Sequence, residues 1–432
     1  MDPTPPTRRP ATPGGPTVSP PADAAAIRRR NLGLVLRHLA DHGPCPRTEV
    51  AAATGLAHGS VTALVADLAD RGLIAEDDAQ RSGVRGRPGR PLRLEPGRAA
   101  VAAIQVTSEQ LRVAVSDLAG VITWRDTVAH DLAPGTPAAM AAAIASLIAR
   151  AAATLPESGP APVLARAVIA MAGPVLDDPD QTVVVAPDFG WLDSVPLRDL
   201  IAAHLPPPAV AIDVINDANA AALAEFHALP RDSRGLVLIE AGTGIGGGVV
   251  LDGRIHTGSH GVAGEPGHLP VAMTGPDCVC GARGCLVTFA GPEAVLDSAG
   301  LTSLLHNEGL QAARSELLSL LRQSEPQALS AMDAAATALG TAILSISALL
   351  DTDEVVLGGL LAEWFPWIAP TIENRLHGRR VLAPTLGLRI APAALGDDAI
   401  LIGALGFARR AVLADPAVVP PLPILRVAED SR

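Results

Sequence analysis

Gly264-Glu265-Pro266-Gly267-His268, with Cys278-Val279-Cys280-Gly281-Ala282-Arg283-Gly284-Cys285 starting ten residues beyond its histidine, is the stretch from which the rest of this 432-residue chain is read. Three of the chain's four cysteines fall here, and with His268 they give the spacing H-x9-C-x-C-x4-C. One imidazole and three thiolates are the donor set of a closed tetrahedral zinc site. Gly281 and Gly284 allow the tight turns that aim several thiolates at one ion. The competing reading, free cysteines in a loop, sits poorly with a chain otherwise nearly free of cysteine. A site with four protein ligands is structural. It names no reaction.

Hydrophobic residues make up 48% of the chain but aromatics only 2%, so its cores must be built from Ala, Val, Leu and Ile. All 33 basic residues are Arg, which excludes any mechanism that needs a lysine. No apolar run reaches the roughly 20 uncharged residues of a membrane span. Residues 1–24, rich in Pro and Thr at the start, read as a disordered tail rather than a signal peptide. Clustered thiolates in a cysteine-poor chain fit a reducing, cytoplasmic setting. The net charge of −12 hides an asymmetry: residues 1–98 balance to +4 and the remainder to −16. A basic front end on an acidic body suggests a nucleic-acid-binding head.

In that front end Leu32, Val35, Leu36 and Leu39 recur at helical spacing. Gly43-Pro44-Cys45-Pro46 ends the helix, a short one runs from about Arg47 to Ala53, and Thr54-Gly55-Leu56 makes a turn. A third helix over about His58–Asp70 buries Val61, Leu64, Val65 and Leu68. Helix, turn and helix at this spacing is the unit whose second helix enters the DNA major groove. Its outward residues His58, Ser60, Thr62 and Ala63 would then face bases and phosphates. Ala57 stands where a Ser or Thr cap is expected, which weakens that helix start. Leu73–Ala75 and Leu92–Leu94 read as short strands flanking a wing, Arg81–Pro91, with no acid in it. Arg85, Arg87 and Arg90 on such a wing can follow a narrow minor groove. A helical protein-interaction module with a basic linker is the competing reading.

Beyond Pro96-Gly97 the pattern becomes α/β. Strands are expected at Val101–Val106, Leu111–Asp117, Val121–Thr123, Val163–Ala172, Val210–Ile215, Leu236–Glu240, Gly247–Leu251 and Val355–Leu357. Helices are expected at Pro137–Leu155, 196–204, 218–228, 292–304, 312–321 and 328–350. Glu240-Ala241-Gly242-Thr243-Gly244-Ile245-Gly246-Gly247-Gly248 is a strand running into a glycine-rich turn that could hold phosphate oxygens or be a plain hairpin. Asn216-Asp217-Ala218-Asn219 closes a strand before a helix, so Asp217 is either a general base at the lip of a cleft or a helix cap.

Taken in order, these residues resemble the ROK family of repressors and sugar kinases, which has the two-lobed actin-like ATPase (ribonuclease H-like) fold. The likeness runs from the winged helix-turn-helix head through Ala172-Gly173-Pro174, Ala186-Pro187-Asp188-Phe189-Gly190-Trp191 and Asn216–Asn219. It continues through Gly242–Gly248, Gly264–His268, the cysteines, Val356-Leu357-Gly358-Gly359 and Leu395–Ala399. It implies Zn2+ on His268, Cys278, Cys280 and Cys285. It implies sugar contacts from Gly173, Asn216, Asp217, Glu265 and His268, the last through its free ring nitrogen. In kinase members the residue matching Asp217 is the base that deprotonates the sugar hydroxyl. The implied layout is a winged head at 25–96, a first lobe at 97–212 completed by about 390–415, a second lobe with zinc loop and sugar cleft at 213–389, and a tail at 416–432.

Two departures bear on function. Where kinases carry an Asp-x-Gly-Gly-Thr phosphate turn, this chain reads Gln105-Val106-Thr107-Ser108-Glu109, losing both glycines and the metal-facing Asp and gaining a negative charge. Phosphoryl transfer depends on positioning and charge neutralisation, so kinase activity is not expected. The family's Glu near the zinc loop is Val287 here, which alters the sugars the site would accept. The expectation is a sugar-responsive repressor of carbohydrate metabolism that binds a double-stranded operator as a homodimer or homotetramer. The alternatives are an ATP-dependent sugar kinase that keeps a DNA-binding head, and a DNA-bound scaffold with a vestigial sugar site.

Overall fold

The computed structural model describes residues 23–77, 90–156, 162–207, 210–230, 233–382 and 387–423. Three helices, α1 (Ala24–His42), α2 (Arg47–Thr54) and α3 (His58–Asp70), and the antiparallel pair β1 (Ile74–Glu76) and β2 (Leu92–Leu94) form the head. Asp23 caps α1 through its side chain, and Gly55, at φ 70°, lets α2 turn directly into α3. No side chain caps α3, as Ala57 led us to expect.

A first five-stranded sheet follows from β3 (Ala99–Val106), β4 (Gln110–Asp117), β5 (Ile122–Ala129), β6 (Val163–Met171) and β7 (Ala211–Asn216), with α4 (Pro137–Ala153) and α5 (Leu197–Ala202) on one face. Helix α6 (Asp217–Ala228) leads to a second sheet of β8 (Gly235–Ala241), β9 (Ile245–Leu251), β10 (Arg254–Ile255), β11 (Glu354–Gly359) and β12 (Arg389–Pro392). Around it stand α7 (Val287–Ala290), α8 (Pro292–Ser298), α9 (Thr302–Arg322), α10 (Pro326–Leu350) and α11 (Leu360–Leu382), and α12 (Ala399–Ala414) closes the chain of elements.

The two sheets have one topology. Each begins with a three-stranded antiparallel meander, and two further strands then add in parallel beside the first strand. This repetition of a whole lobe leaves no trace in the motifs. β7 belongs to the first sheet, so that sheet runs to Asn216, into the stretch from 213 given to the second lobe.

Several elements differ from expectation. β5 continues to Ala129, where exposed and half-buried residues alternate in the manner of an edge strand. α11 carries Pro366 and Pro370 within it, the residues that usually argue against a helix. α12 and β12 were not anticipated as elements; α12 is apolar over most of its length, and β12 is four residues long. One expected helix over 292–304 is two, broken after Ser298, and α9 kinks at Gly309. α10 is long and apolar enough to span a bilayer, yet half of that stretch is buried, and it packs in the second lobe's core.

Helices α6 and α12 form the layer between the sheets, α12 lying on β3 and β6 and α6 on β9. They meet at alanine and glycine: a Cβ added to Gly403 would stand 1.8 Å from the Ala220 carbonyl oxygen. The hydrophobic core beneath α12 is continuous with that of the head, from Leu32 to Leu92 through Ala99 and Leu401 to Val419. Residues from 416 onward, expected as a tail, are packed as far as they are described. Arg71 donates to the carbonyls of Ala417 and Val419, Arg98 to Pro420, and the Leu422 amide to Asp70. Burial of that strap against the head supplies what a free tail lacks. The rest of the expected tails, 1–22 and 424–432, lies outside the described residues.

Candidate functional site

The end of β7 and the start of α6 put Asn216 and Asp217 at the floor of a cleft of about 270 Å³ between the sheets. Gly173, Glu240, Glu265 and the turn Gly242–Gly247 line it as well. Asn216 is first a cap. Its Oδ1 accepts from the Asn219 amide (3.0 Å) and its Nδ2 donates to the Gly173 carbonyl (3.1 Å). That leaves one N–H and one lone pair for a ligand. Gly173 sits at φ 106°, and a Cβ there would collide with the Val185 carbonyl oxygen at 2.2 Å. Asp217 accepts from the Ala218 amide (2.8 Å). Burial, with Glu265 and Asp188 nearby, pushes its carboxyl up to about 6 against the pull of backbone N–H groups. Burial also raises Glu265.

Glu240 is the residue the sequence reading passed over as the end of a strand. Burial, then Asp217, Glu225 and Asp397, push it up to about 7. Its signal was available: a glutamate closing the otherwise apolar run Leu236–Ile239. It lines both the cleft and an adjoining cavity of about 440 Å³ that holds Glu225, Glu363 and Asp397 against one guanidinium, Arg314, itself paired to Glu363.

The glycine-rich turn divides in two. A Cβ on Gly247 would meet the Leu238 carbonyl oxygen at 2.4 Å and one on Gly248 the Ala218 oxygen at 2.8 Å, so these glycines serve packing. Gly242 and Gly244 face open space, with Val287 nearest Gly244. The turn after β3 is closed. Thr107 Oγ1 accepts from the Gln110 amide (3.1 Å) and donates to the Gln110 carbonyl (3.0 Å), which also takes the Thr107 amide (3.0 Å). Gln105 accepts from Arg112 (3.0 Å), which also donates to the Asp397 carbonyl (2.7 Å) and pairs with Asp398 (2.9 Å). The Thr107 and Gln110 amides and the Arg112 cation are thus engaged within the protein.

His268, Cys278, Cys280 and Cys285 present donor atoms within 4.8 Å of one another. Cys280 Sγ lies 3.7 Å from Cys285 Sγ, and Cys278 Sγ 3.5 Å from His268 Nδ1. Zn–S and Zn–N bonds of about 2.3 and 2.05 Å give tetrahedral edges of about 3.8 and 3.6 Å. The donor set therefore fits a zinc ion. Burial and its two sulfur neighbours push the Cys285 thiol up to about 12, a proton that a bound dication would displace. Gly281 and Gly284 take positive φ, and a Cβ on Gly284 would lie 2.1 Å from the Ala272 oxygen. With Nδ1 turned to the sulfur, His268 leaves Nε2 free, but it is not among the residues lining the cleft.

In the head, His58, Ser60, Thr62 and Ala63 are exposed along α3. Thr62 spends its hydroxyl proton on the His58 carbonyl (3.0 Å). Arg90 is exposed and 3.9 Å from Glu76, while Arg85 and Arg87 lie outside the described residues.

The ROK family pattern matches residues 101–411, and a MarR family pattern matches residues 33–83. The xylose repressor of Bacillus spizizenii is 25% identical over 388 residues, 88% of this chain and 95% of that protein. The kanosamine kinase of Amycolatopsis mediterranei is 36% identical over 209 residues, 48% of this chain and 66% of the kinase. A crystal structure of a ROK family transcriptional regulator, a homologue of the E. coli MLC protein, covers 91% of this chain and 98% of its own with a TM-score of 0.74 and 24% identity.

Proposed function

This chain belongs to the ROK family, and on that footing we propose that it is a sugar-responsive DNA-binding transcriptional repressor of carbohydrate metabolism without kinase activity. The observation that carries this reading is the single hydrophobic core shared by the winged head and the first lobe. α6 starts at Asp217 in the cleft and packs on α12, whose last residue, Ala414, is pressed against Gly33 of α1. A sugar that closes the lobes on Asp217 and Glu265 thus moves a helix two contacts from the DNA-binding head. Ligand binding shifts DNA affinity only if the sugar binds the two lobe arrangements unequally.

Asp217, Glu265 and the remaining donor and acceptor of Asn216 would hold sugar hydroxyls. Zn2+ on His268, Cys278, Cys280 and Cys285 would brace the loop that carries Glu265. His58, Ser60 and Thr62 would read the major groove, and Arg85, Arg87 and Arg90 the backbone or minor groove. A symmetric dimer or tetramer would place two heads on a palindromic operator. The test is to select duplexes from a random pool with the protein and then titrate a sugar panel. One sugar should lower affinity for the selected duplex; a panel that moves neither affinity nor thermal midpoint refutes the sensor.

A second reading, an ATP-dependent sugar kinase with a DNA-binding head, draws on Asp217, a buried carboxylate placed as a base, and on the kinase relatives. ADP release coupled to sugar, abolished in Asp217→Asn, would establish it. No turnover with any hexose would remove it.

A further inference from the structure

We propose that the head carries a metal site of its own, in which His38, Cys45 and Glu49 hold a Zn2+ ion that braces α1, the wing strand β2 and α2. The three follow the spacing H-x6-C-x3-E around the turn at Gly43-Pro44, and their donor atoms lie within 4.8 Å of one another. The independent observation is His38. Its Nε2 is sealed from solvent and has no hydrogen-bond partner among the described residues. A buried polar atom left bare costs about 1–3 kcal/mol. The ring is held by stacking on His42 at 4.5 Å, and His42 Nδ1 donates back to the His38 carbonyl (3.1 Å).

Cys45 is 3% exposed, and its backbone pairs in both directions with Leu92 (3.1 and 2.8 Å), which fixes the sulfur between α1 and β2. Glu49 stands in the first turn of α2, exposed, with a carboxylate oxygen within 4.8 Å of the other two donor atoms. An imidazole, a thiolate and a carboxylate together suit zinc, with two negative charges against the dication and one position left for water. The ligands come from α1, from the turn bridged to β2, and from α2, the supports that set the tilt of α3. Metal at this point would stiffen the DNA-reading unit without touching DNA.

The test uses full-length protein stripped with chelator and titrated with Co2+ alone. Wild type should bind two ions per chain, with the visible d–d bands of four-coordinate cobalt and thiolate charge transfer from four sulfurs. Cys45→Ser and His38→Gln should each lose one ion, and Cys45→Ser the charge transfer of one sulfur. Glu49→Gln, at an exposed position that leaves the fold alone, should keep the first ion and weaken the second at least about tenfold. A Cys45→Ser chain that binds as many Co2+ ions as wild type with an unchanged charge-transfer band, or a Glu49→Gln chain with wild-type affinity at every ion, overturns the proposal.

Discussion

Asp217→Asn should stabilise the free protein while removing its response to sugar. The carboxyl moves from 3.8 to about 6 on folding because it is buried and faces Glu265 and Asp188. At about 1.4 kcal/mol per pKa unit, holding it ionised costs about 3 kcal/mol. Asp217 keeps some exposed surface in the cleft, so screening trims the cost to about 1–3 kcal/mol. The sign follows from proton binding. Between 3.8 and about 6 the folded protein holds a proton that the unfolded chain has released, so stability falls as pH rises through that window. The penalty is complete above about pH 6 and vanishes well below the unfolded value. Asparagine keeps an Oδ1 to accept from the Ala218 amide and carries no charge. The assay is thermal unfolding of both proteins at about pH 7.5 and about pH 4.5. The variant should melt several degrees higher at the upper pH, at roughly 2–4 °C per kcal/mol for a lobe of this size, and the gain should shrink at the lower pH. A variant that melts lower at about pH 7.5, or whose gain is the same at both, refutes the reasoning.

Cys280→Ser should lose zinc by metal analysis and weaken the sugar-induced shift in thermal midpoint, since the loop it closes carries Glu265 and His268; a variant that keeps both sinks the ligand assignment. Gly403→Ala drives a Cβ to 1.8 Å from the Ala220 oxygen, so it should cost about 3 kcal/mol or more in urea unfolding. An unchanged urea midpoint would mean α6 and α12 part freely. Arg71→Ala strips the carbonyls of Ala417 and Val419 of their donor, so it should loosen the head by about 1–3 kcal/mol, read as faster proteolysis between residues 71 and 98. Ser60→Ala, exposed on α3, should change the bases selected from a random duplex pool while leaving affinity for unselected duplex in place.

What could be read from the sequence was whatever repeats at a short period or crowds chemistry into a few residues. The stripe Leu32, Val35, Leu36 and Leu39 gave the head's first helix because one of its faces is wet. α12 is covered by the first sheet, α6 and α1, and its mostly apolar run was not read as a helix. The cluster of His268, Cys278, Cys280 and Cys285 was legible because thiols and a histidine rarely fall so close together in a cysteine-poor chain. The stretch Asn216–Asn219, by contrast, offered two readings, and the structure gives both: Asn216 caps α6 through the Asn219 amide, and Asn216 and Asp217 line the cleft. Glu240 was hidden because a single charged residue at a strand end looks like a boundary, and only the fold brings Glu225 and Asp397 from distant segments to face it.

The lost phosphate turn also changes the mechanics. Arg112 and Arg125 both reach Asp398, at the head of α12, and Arg112 ties the same point to Gln105 on β3. The near end of α12 is therefore fastened to the first sheet where a kinase would receive nucleotide. Its far end is fastened to the head through Ala414 and the strap at Ala417–Pro420. A rod held at both ends by one lobe and the head moves with them as one body, so closure of the second lobe must act across the remaining face, where Ala220 of α6 meets Gly403. There the contact is backbone against backbone, too stiff to absorb a shift by rotating side chains. Under the repressor reading, that seam is where a sugar held by Asp217 would be felt by the DNA-binding head.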